Sequence, residues 1–168
     1  MLLLAAFLVV GIGIAHSFLG ERYILTRLLR QPLPKLFGDG SFTRQTVRFA
    51  WHITTIAWFG FAALLVLLYF GHATRPNLLI ALGSTFAISA LVALIASRAK
   101  HLSWLVFGAI SVICFVFAWQ EIQEFLAIDA CLNSGGSFNY QTHACDFEVS
   151  HPPSQHRSAA VPNSRRPA

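Results

Sequence analysis

Four runs of this chain contain no aspartate, glutamate, lysine or arginine: residues 1–20, 49–70, 77–97 and 102–120. Each is close to the roughly 20 residues that carry an α-helix across a hydrocarbon core. An unpaired backbone amide in lipid costs several kcal/mol, so a spanning segment has to satisfy its own hydrogen bonds. Strands in a barrel would alternate in polarity, and Leu64-Leu65-Val66-Leu67-Leu68 does not. The fold class that follows is all-α: a four-helix transmembrane bundle over residues 1–128, with a small C-terminal tail. Composition agrees, with 55% hydrophobic and only 11% charged residues and a mean hydropathy of +0.60. A soluble domain carries about 25% charged residues, which argues against a cytosolic enzyme. The 15 Phe and 4 Trp exclude disorder over most of the length.

Charge predicts how the chain is threaded. Arg22, Arg27, Arg30, Lys35, Arg44 and Arg48 lie between the first two runs, and Arg98 and Lys100 between the last two. The other side has only Arg75 near a span and distant arginines in the tail. The positive-inside rule therefore places residues 21–48 and 98–101 in the cytoplasm, with both termini outside. The net charge of +5 is explained by this distribution, and no nucleic-acid partner is expected. Ala15-His16-Ser17 could pass for a signal-peptidase site, but Met1-Leu2-Leu3-Leu4 offers no positive flank. Cleavage would also leave three spans with the six-charge loop on the wrong side.

The cysteines agree with an outward tail. Cys114 falls within the fourth run and reads as a small buried hydrophobe, whereas Cys131 and Cys145 are in the polar tail. A disulfide closing that loop would contribute about 3 kcal/mol and persist in an oxidising compartment. Metal capture by Cys131, His143, Cys145 and Asp146 is the competing chemistry, although zinc sites use tighter paired spacings. The order Cys131, Gly135-Gly136, Phe138-Asn139, Cys145-Asp146 resembles a short module of small bacterial extracytoplasmic proteins, with Phe138 replacing the module's Trp. The resemblance covers about 20 of 168 residues, and it implies a disulfide-closed hairpin outside the inner membrane over residues 129–148. After it, Pro152-Pro153 and a run of Ser, Pro, Asn and Arg predict a disordered end over residues 149–168.

The loop 21–48 begins as an extension of the first helix, with Tyr23, Ile24, Leu28 and Leu29 interleaved with arginines, and ends at Gln31-Pro32. Its basic face suits anionic lipid headgroups. Gly38-Asp39-Gly40 reads as a turn.

Polar groups inside spans are costly and face the bundle interior, so chemistry is sought there. At 100° per residue, Gly13, His16, Gly20, Tyr23 and Arg27 share one arc. Arg48, His52, Thr55, Phe59, Ala63 and Val66 share another. His16 and His52 each sit roughly 6 Å below the cytoplasmic surface, on helices expected to be antiparallel neighbours, so the imidazoles could meet. Three readings stay open. The histidines could bond to each other, to Ser17, Thr55 or Glu21, or to a backbone carbonyl. They could ligate a haem or metal ion. Or Glu21, Arg48 and the histidines could form a proton or quinone site. The candidate polar site is thus His16, Glu21, Arg48, His52 and Thr55. The strings His16-Ser17-Phe18-Leu19-Gly20-Glu21-Arg22 and Arg48-Phe49-Ala50-Trp51-His52 resemble a signature of bacterial four-span inner-membrane proteins. That resemblance implies no activity.

The third run, rich in Ala, Ser, Thr and Gly83, reads as a packing surface for close helix approach. On the fourth, His101, Trp104, Gly108, Ser111 and Phe115 share a face, with His101 read as interfacial. Trp51, Trp104 and Trp119 fall near span ends, where indoles anchor in headgroups. Glu121 and Glu124 read as a solvated face. No nucleotide loop, zinc helix, serine elbow, Cys-x-x-Cys centre or internal repeat occurs. The functional expectation is a non-enzymatic accessory or interaction protein needing no cofactor. Its partners would be membrane lipids, a second copy or another membrane protein. The alternative is a small redox protein binding haem or quinone through His16 and His52.

Overall fold

The structure, a computed structural model, describes residues 1–33 and 40–147. The turn expected through Gly38 and Asp39, and the disordered end expected at residues 149–168, lie outside the described residues. Within them run α1 (Leu2–Leu28), α2 (Ser41–Tyr69), α3 (Arg75–Ser97), α4 (Ser103–Asn133), β1 (Ser137–Asn139) and β2 (Ala144–Asp146). All four helices are long and apolar enough to cross a membrane.

Three helices extend well beyond their charge-free runs. α1 continues to Leu28 and α2 starts at Ser41, so most of the expected loop is helical. Arginine and glutamate are good helix formers, and charge marks where lipid would end rather than where a helix ends. α1 stops just ahead of Pro32, as expected from the missing amide donor. α3 begins with Pro in its first turn after Thr74, the position proline tolerates best. It ends on Arg98 and Ala99, both left-handed, at φ 50° and 62°.

The contiguous unit Met1–Glu124 stacks each helix on the next. α1 meets α2 where Gly13 faces Thr55 and Phe59, α2 meets α3 at Gly60 and Thr85, and α3 meets α4 at Gly83, Cys114 and Phe115. Partner numbers fall along one helix as they rise along the next, so neighbours are antiparallel. Small residues of α3 are buried as expected of a packing surface, among them Gly83, Ser89, Ala93 and Ser97, and at the contact with α4 Ser111 Oγ donates to the Gly83 carbonyl at 2.8 Å. Antiparallel stacking gathers Arg22, Arg27, Arg30, Arg44, Arg48, Arg98 and Lys100 at one end of the helices. Arg75 lies at the opposite end, paired with Glu121 at 2.9 Å, so Glu121 is not merely solvated.

One turn of α1 departs from the α-helix. Residues Gly20–Leu25 are π-helical, with Thr26 N–H reaching back five residues to the Glu21 carbonyl. A π-turn inserts one residue into the helical repeat, so the inward face shifts by about one position. Gly13, His16 and Gly20 face α2 as expected. Beyond the π-turn the inward positions become Leu25 and Leu29, while Tyr23 and Arg27, expected on that face, are exposed.

The second unit starts at Phe125 and includes the end of α4 and the hairpin. Cys131 stands on the last turn of α4 and is joined to Cys145 of β2, with 5.6 Å between Cα atoms. The cysteines are therefore not free to ligate a metal with His143 and Asp146. β1 and β2 pair antiparallel with Phe138 opposite Cys145. Gly135-Gly136 does not turn this hairpin; it ends α4. Gly135 takes φ +79°, and Gly136 N–H bonds to the Cys131 carbonyl at 3.0 Å, a left-handed helix cap. A Cβ on Gly136 would collide with the disulfide sulfurs, so the second glycine makes room for the crosslink. The hairpin turn itself is closed by Asn139 Oδ1, which accepts from the amides of Gln141 and Thr142.

Candidate functional site

The polar residues of α1 and α2 converge at their shared interface near the basic end. Helical spacing brings Gly13, His16, Ser17 and Gly20 of α1 opposite Trp51, His52, Thr55 and Phe59 of α2. The π-turn then swings Glu21 toward the same seam.

A continuous chain of contacts runs through it. Arg48 Nη2 lies 2.9 Å from Glu21 Oε1. Glu21 Oε2 lies 3.5 Å from His52 Nε2, a charge contact too long and poorly aligned to count as a hydrogen bond. His52 Nδ1 is 2.8 Å from Ser17 Oγ, which is 2.9 Å from Thr55 Oγ1. Thr55, only 5% exposed, donates at 3.3 Å to the Gly13 carbonyl. The Arg48–Glu21 pair is half-exposed, so its contribution falls in the range of about 0–1 kcal/mol typical of surface pairs. The hydroxyl end is the costlier part to disturb, because a stranded buried hydroxyl costs about 1–3 kcal/mol.

With the Thr55 hydroxyl donating to the Gly13 carbonyl, Ser17 donates to Thr55 Oγ1 and accepts from the Nδ1–H of His52.

His16 has different partners. Its ring lies flat on Trp51, with centroids 4.4 Å apart and planes 2° apart, and Trp58 packs at 4.9 Å. Trp51 Nε1 donates to the His16 carbonyl at 3.1 Å, and its indole occupies the space a Cβ on Gly20 would need. Trp51 is thus a wedge between helices rather than a headgroup anchor. Trp104 also departs from that expectation, with its Nε1 buried. His16 Nε2 is buried without a hydrogen-bond partner. The expected meeting of the two imidazoles is replaced by one imidazole on an indole and one in a hydroxyl chain.

All five sequence-predicted site residues reach this seam. His101 does not; it bonds Ser103 Oγ at 2.8 Å and packs its ring on Phe42 and Phe49 of α2. Two contributors carried less weight in the sequence: Ser17, the hub of the chain, and Trp51, which fixes His16. A small polar residue one position from an intramembrane histidine was the available signal for Ser17. No set of three His, Cys, Asp or Glu side chains converges in a metal-binding arrangement among the described residues.

The chain matches no protein-family model, and neither a curated protein nor a solved structure is significantly similar to it. What the site can do is therefore argued from its chemistry. Hydroxyl, imidazole and carboxylate in sequence have the composition of an acyl-transfer relay. However, Ser17 lies mid-helix, where the surrounding amides are engaged in helical hydrogen bonds, and Oγ is held between His52 and Thr55. No amide pair is free there to stabilise an oxyanion. His52 points both ring nitrogens at protein groups, leaving none directed to an open coordination position for iron.

Proposed function

We propose that this chain is a multi-pass protein of the bacterial inner membrane, with both termini extracytoplasmic. In this reading it acts as a non-enzymatic accessory or interaction unit rather than as a catalyst. The observation that carries the reading is the polar seam of α1 and α2. Its His52, Ser17 and Thr55 side chains bond to one another and to the Gly13 carbonyl, and Glu21 pairs with Arg48, as a clasp between two helices requires. Support for the membrane comes from the outer surfaces. Phe7 and Ile95 are 72% and 68% exposed on helices long enough to span a bilayer, and such continuous apolar surface needs lipid or a protein partner. The seven cations gathered at one end support the cytoplasmic assignment of that end.

Cysteine labelling in intact cells tests the threading: a cysteine at Ser41 stays protected from an impermeant thiol reagent, and one at Ser154 reacts. Reversed labelling overturns the orientation. An absorbance spectrum, metal analysis and organic extract of the purified protein test the absence of catalysis. A stoichiometric haem, metal or quinone would overturn the accessory reading.

A second reading is favoured by His16. Its buried, unpartnered Nε2 could donate to a ligand carbonyl, as a quinone would offer. The same organic extract decides it.

A further inference from the structure

Between the cytoplasmic extension of α1 and the first turns of α2 lies a cavity of about 360 Å³, lined by Thr26, Leu29, Arg30, Arg44, Gln45 and Arg48. That volume is within the range of small-ligand sites, about 300–1,000 Å³. Its wall is unusual for this chain, where charge is scarce: three of the six residues are arginines. Arg48 spends one nitrogen on Glu21, while Arg30 and Arg44 have no carboxylate partner among the described residues. Three guanidinium groups around one cavity repel each other, and Glu21 offsets only one of them. An anion seated among them would remove the repulsion.

We propose that this cavity binds a phosphate group. Guanidinium is planar and presents paired donors that match two phosphate oxygens at once, which makes clustered arginines a phosphate-selective surface. The Gln45 amide adds a neutral donor, and Leu29, 8% exposed, closes the apolar floor. The phosphate is that of an anionic lipid headgroup or of a soluble phosphate. The lipid source is favoured by the adjoining surface, because Ile24 and Leu28 on the same stretch of α1 are 48% and 46% exposed and offer an apolar track for acyl chains. Basic pockets between helices at the cytoplasmic face hold such headgroups. This source rests on the membrane reading above.

The test is native mass spectrometry of the full chain in detergent, with added phosphatidylglycerol, phosphatidylcholine or inorganic phosphate. The expected result is one retained phosphatidylglycerol and far less phosphatidylcholine. Arg30→Gln with Arg44→Gln lowers phosphatidylglycerol occupancy by about thirtyfold. Arg165→Gln with Arg166→Gln removes the same charge from the C-terminal tail and leaves occupancy unchanged. Millimolar inorganic phosphate that displaces the lipid supports the phosphate site, and binding of phosphate without the lipid assigns the soluble source. Equal retention of both lipids with no phosphate binding, or unchanged occupancy in Arg30→Gln/Arg44→Gln, overturns the proposal. If that variant does not fold, the wild-type chain decides. Phosphatidylglycerol should raise its melting temperature more than phosphatidylcholine does, and an equal shift from both, without an effect of phosphate, contradicts the site. The assay does not depend on orientation, so its failure is distinguishable from failure of the labelling experiment.

Discussion

The seam between α1 and α2 and the seam between α3 and α4 solve the same problem with different chemistry. Both bring two apolar helices into close approach at a glycine, Gly20 in one and Gly83 in the other. At Gly20 the opposing group is the Trp51 indole, held by its stack on His16 and its hydrogen bond to the His16 carbonyl. At Gly83 the opposing atoms are side chains of Phe115 and Cys114, 3.1–3.3 Å from an added Cβ. The first seam carries three polar side chains, His52, Ser17 and Thr55, beyond the Glu21–Arg48 ion pair. The second carries one cross-helix hydroxyl, Ser111, whose acceptor is a backbone carbonyl. Packing with a single hydroxyl-to-carbonyl bond joins α3 to α4, whereas α1 and α2 add a polar chain to their packing. Helix association in lipid needs small residues; it does not need a buried histidine.

Breaking the close approach at each seam gives the largest difference. Gly20→Ala drives a Cβ into a fixed indole, and we expect a loss at the upper end of the about 1–3 kcal/mol that overpacking costs. Thermal unfolding in mild detergent reads it. Thr55→Val comes next. It keeps the shape and removes the hydroxyl that Ser17 and the Gly13 carbonyl share, for an expected loss of about 1–2 kcal/mol by the same measurement. Ser111→Ala should cost about 0.6 kcal/mol, the average for an interhelical hydrogen bond in lipid, because the Gly83 carbonyl is also a helix acceptor. Gly83→Ala is the smallest change. The about 1 kcal/mol gained in helix propensity offsets a shift of a few tenths of an ångström in Phe115, so its melting temperature should stay near that of the wild type. Equal losses for Gly20→Ala and Gly83→Ala would mean that Trp51 yields as easily as Phe115.

The sequence shows these two seams unequally. The α3 surface was readable as such, because Ala, Ser and Gly recur there and nothing else competes for the interface. The helices themselves were equally legible from the absence of charge, but their ends were not. Residues 21–28 and 41–48 carry arginines, which suit a helix but not lipid, and only the second property marks a boundary in the sequence. At the α1–α2 seam, His16, Glu21, Arg48, His52 and Thr55 stood out because polar groups are costly among apolar ones. Their pairing did not stand out. A regular 100° repeat runs from Gly20 to Tyr23 and Arg27, and the π-turn at Gly20–Leu25 replaces it with Leu25 and Leu29. No residue type in Gly-Glu-Arg-Tyr-Ile-Leu announces an inserted residue. Trp51 was assigned to the headgroups by its distance from the span end, and it wedges inward because Gly20 leaves room. In the tail, the disulfide followed from cysteine placement, whereas the helix reaching Asn133 did not, since the hairpin was expected to begin at residue 129.

The central claim is that Ser17 and His52 hold α1 to α2 as members of one chain. A double-mutant cycle with Ser17→Ala, His52→Phe and the combined variant measures it directly, by thermal unfolding in detergent. The account predicts that each single change strands the other group. The double variant should then lose less than the sum of the singles, with a coupling of at least about 1 kcal/mol. Losses that add within about 0.3 kcal/mol would contradict it, because two side chains 2.8 Å apart in a shared hydrogen bond cannot act independently.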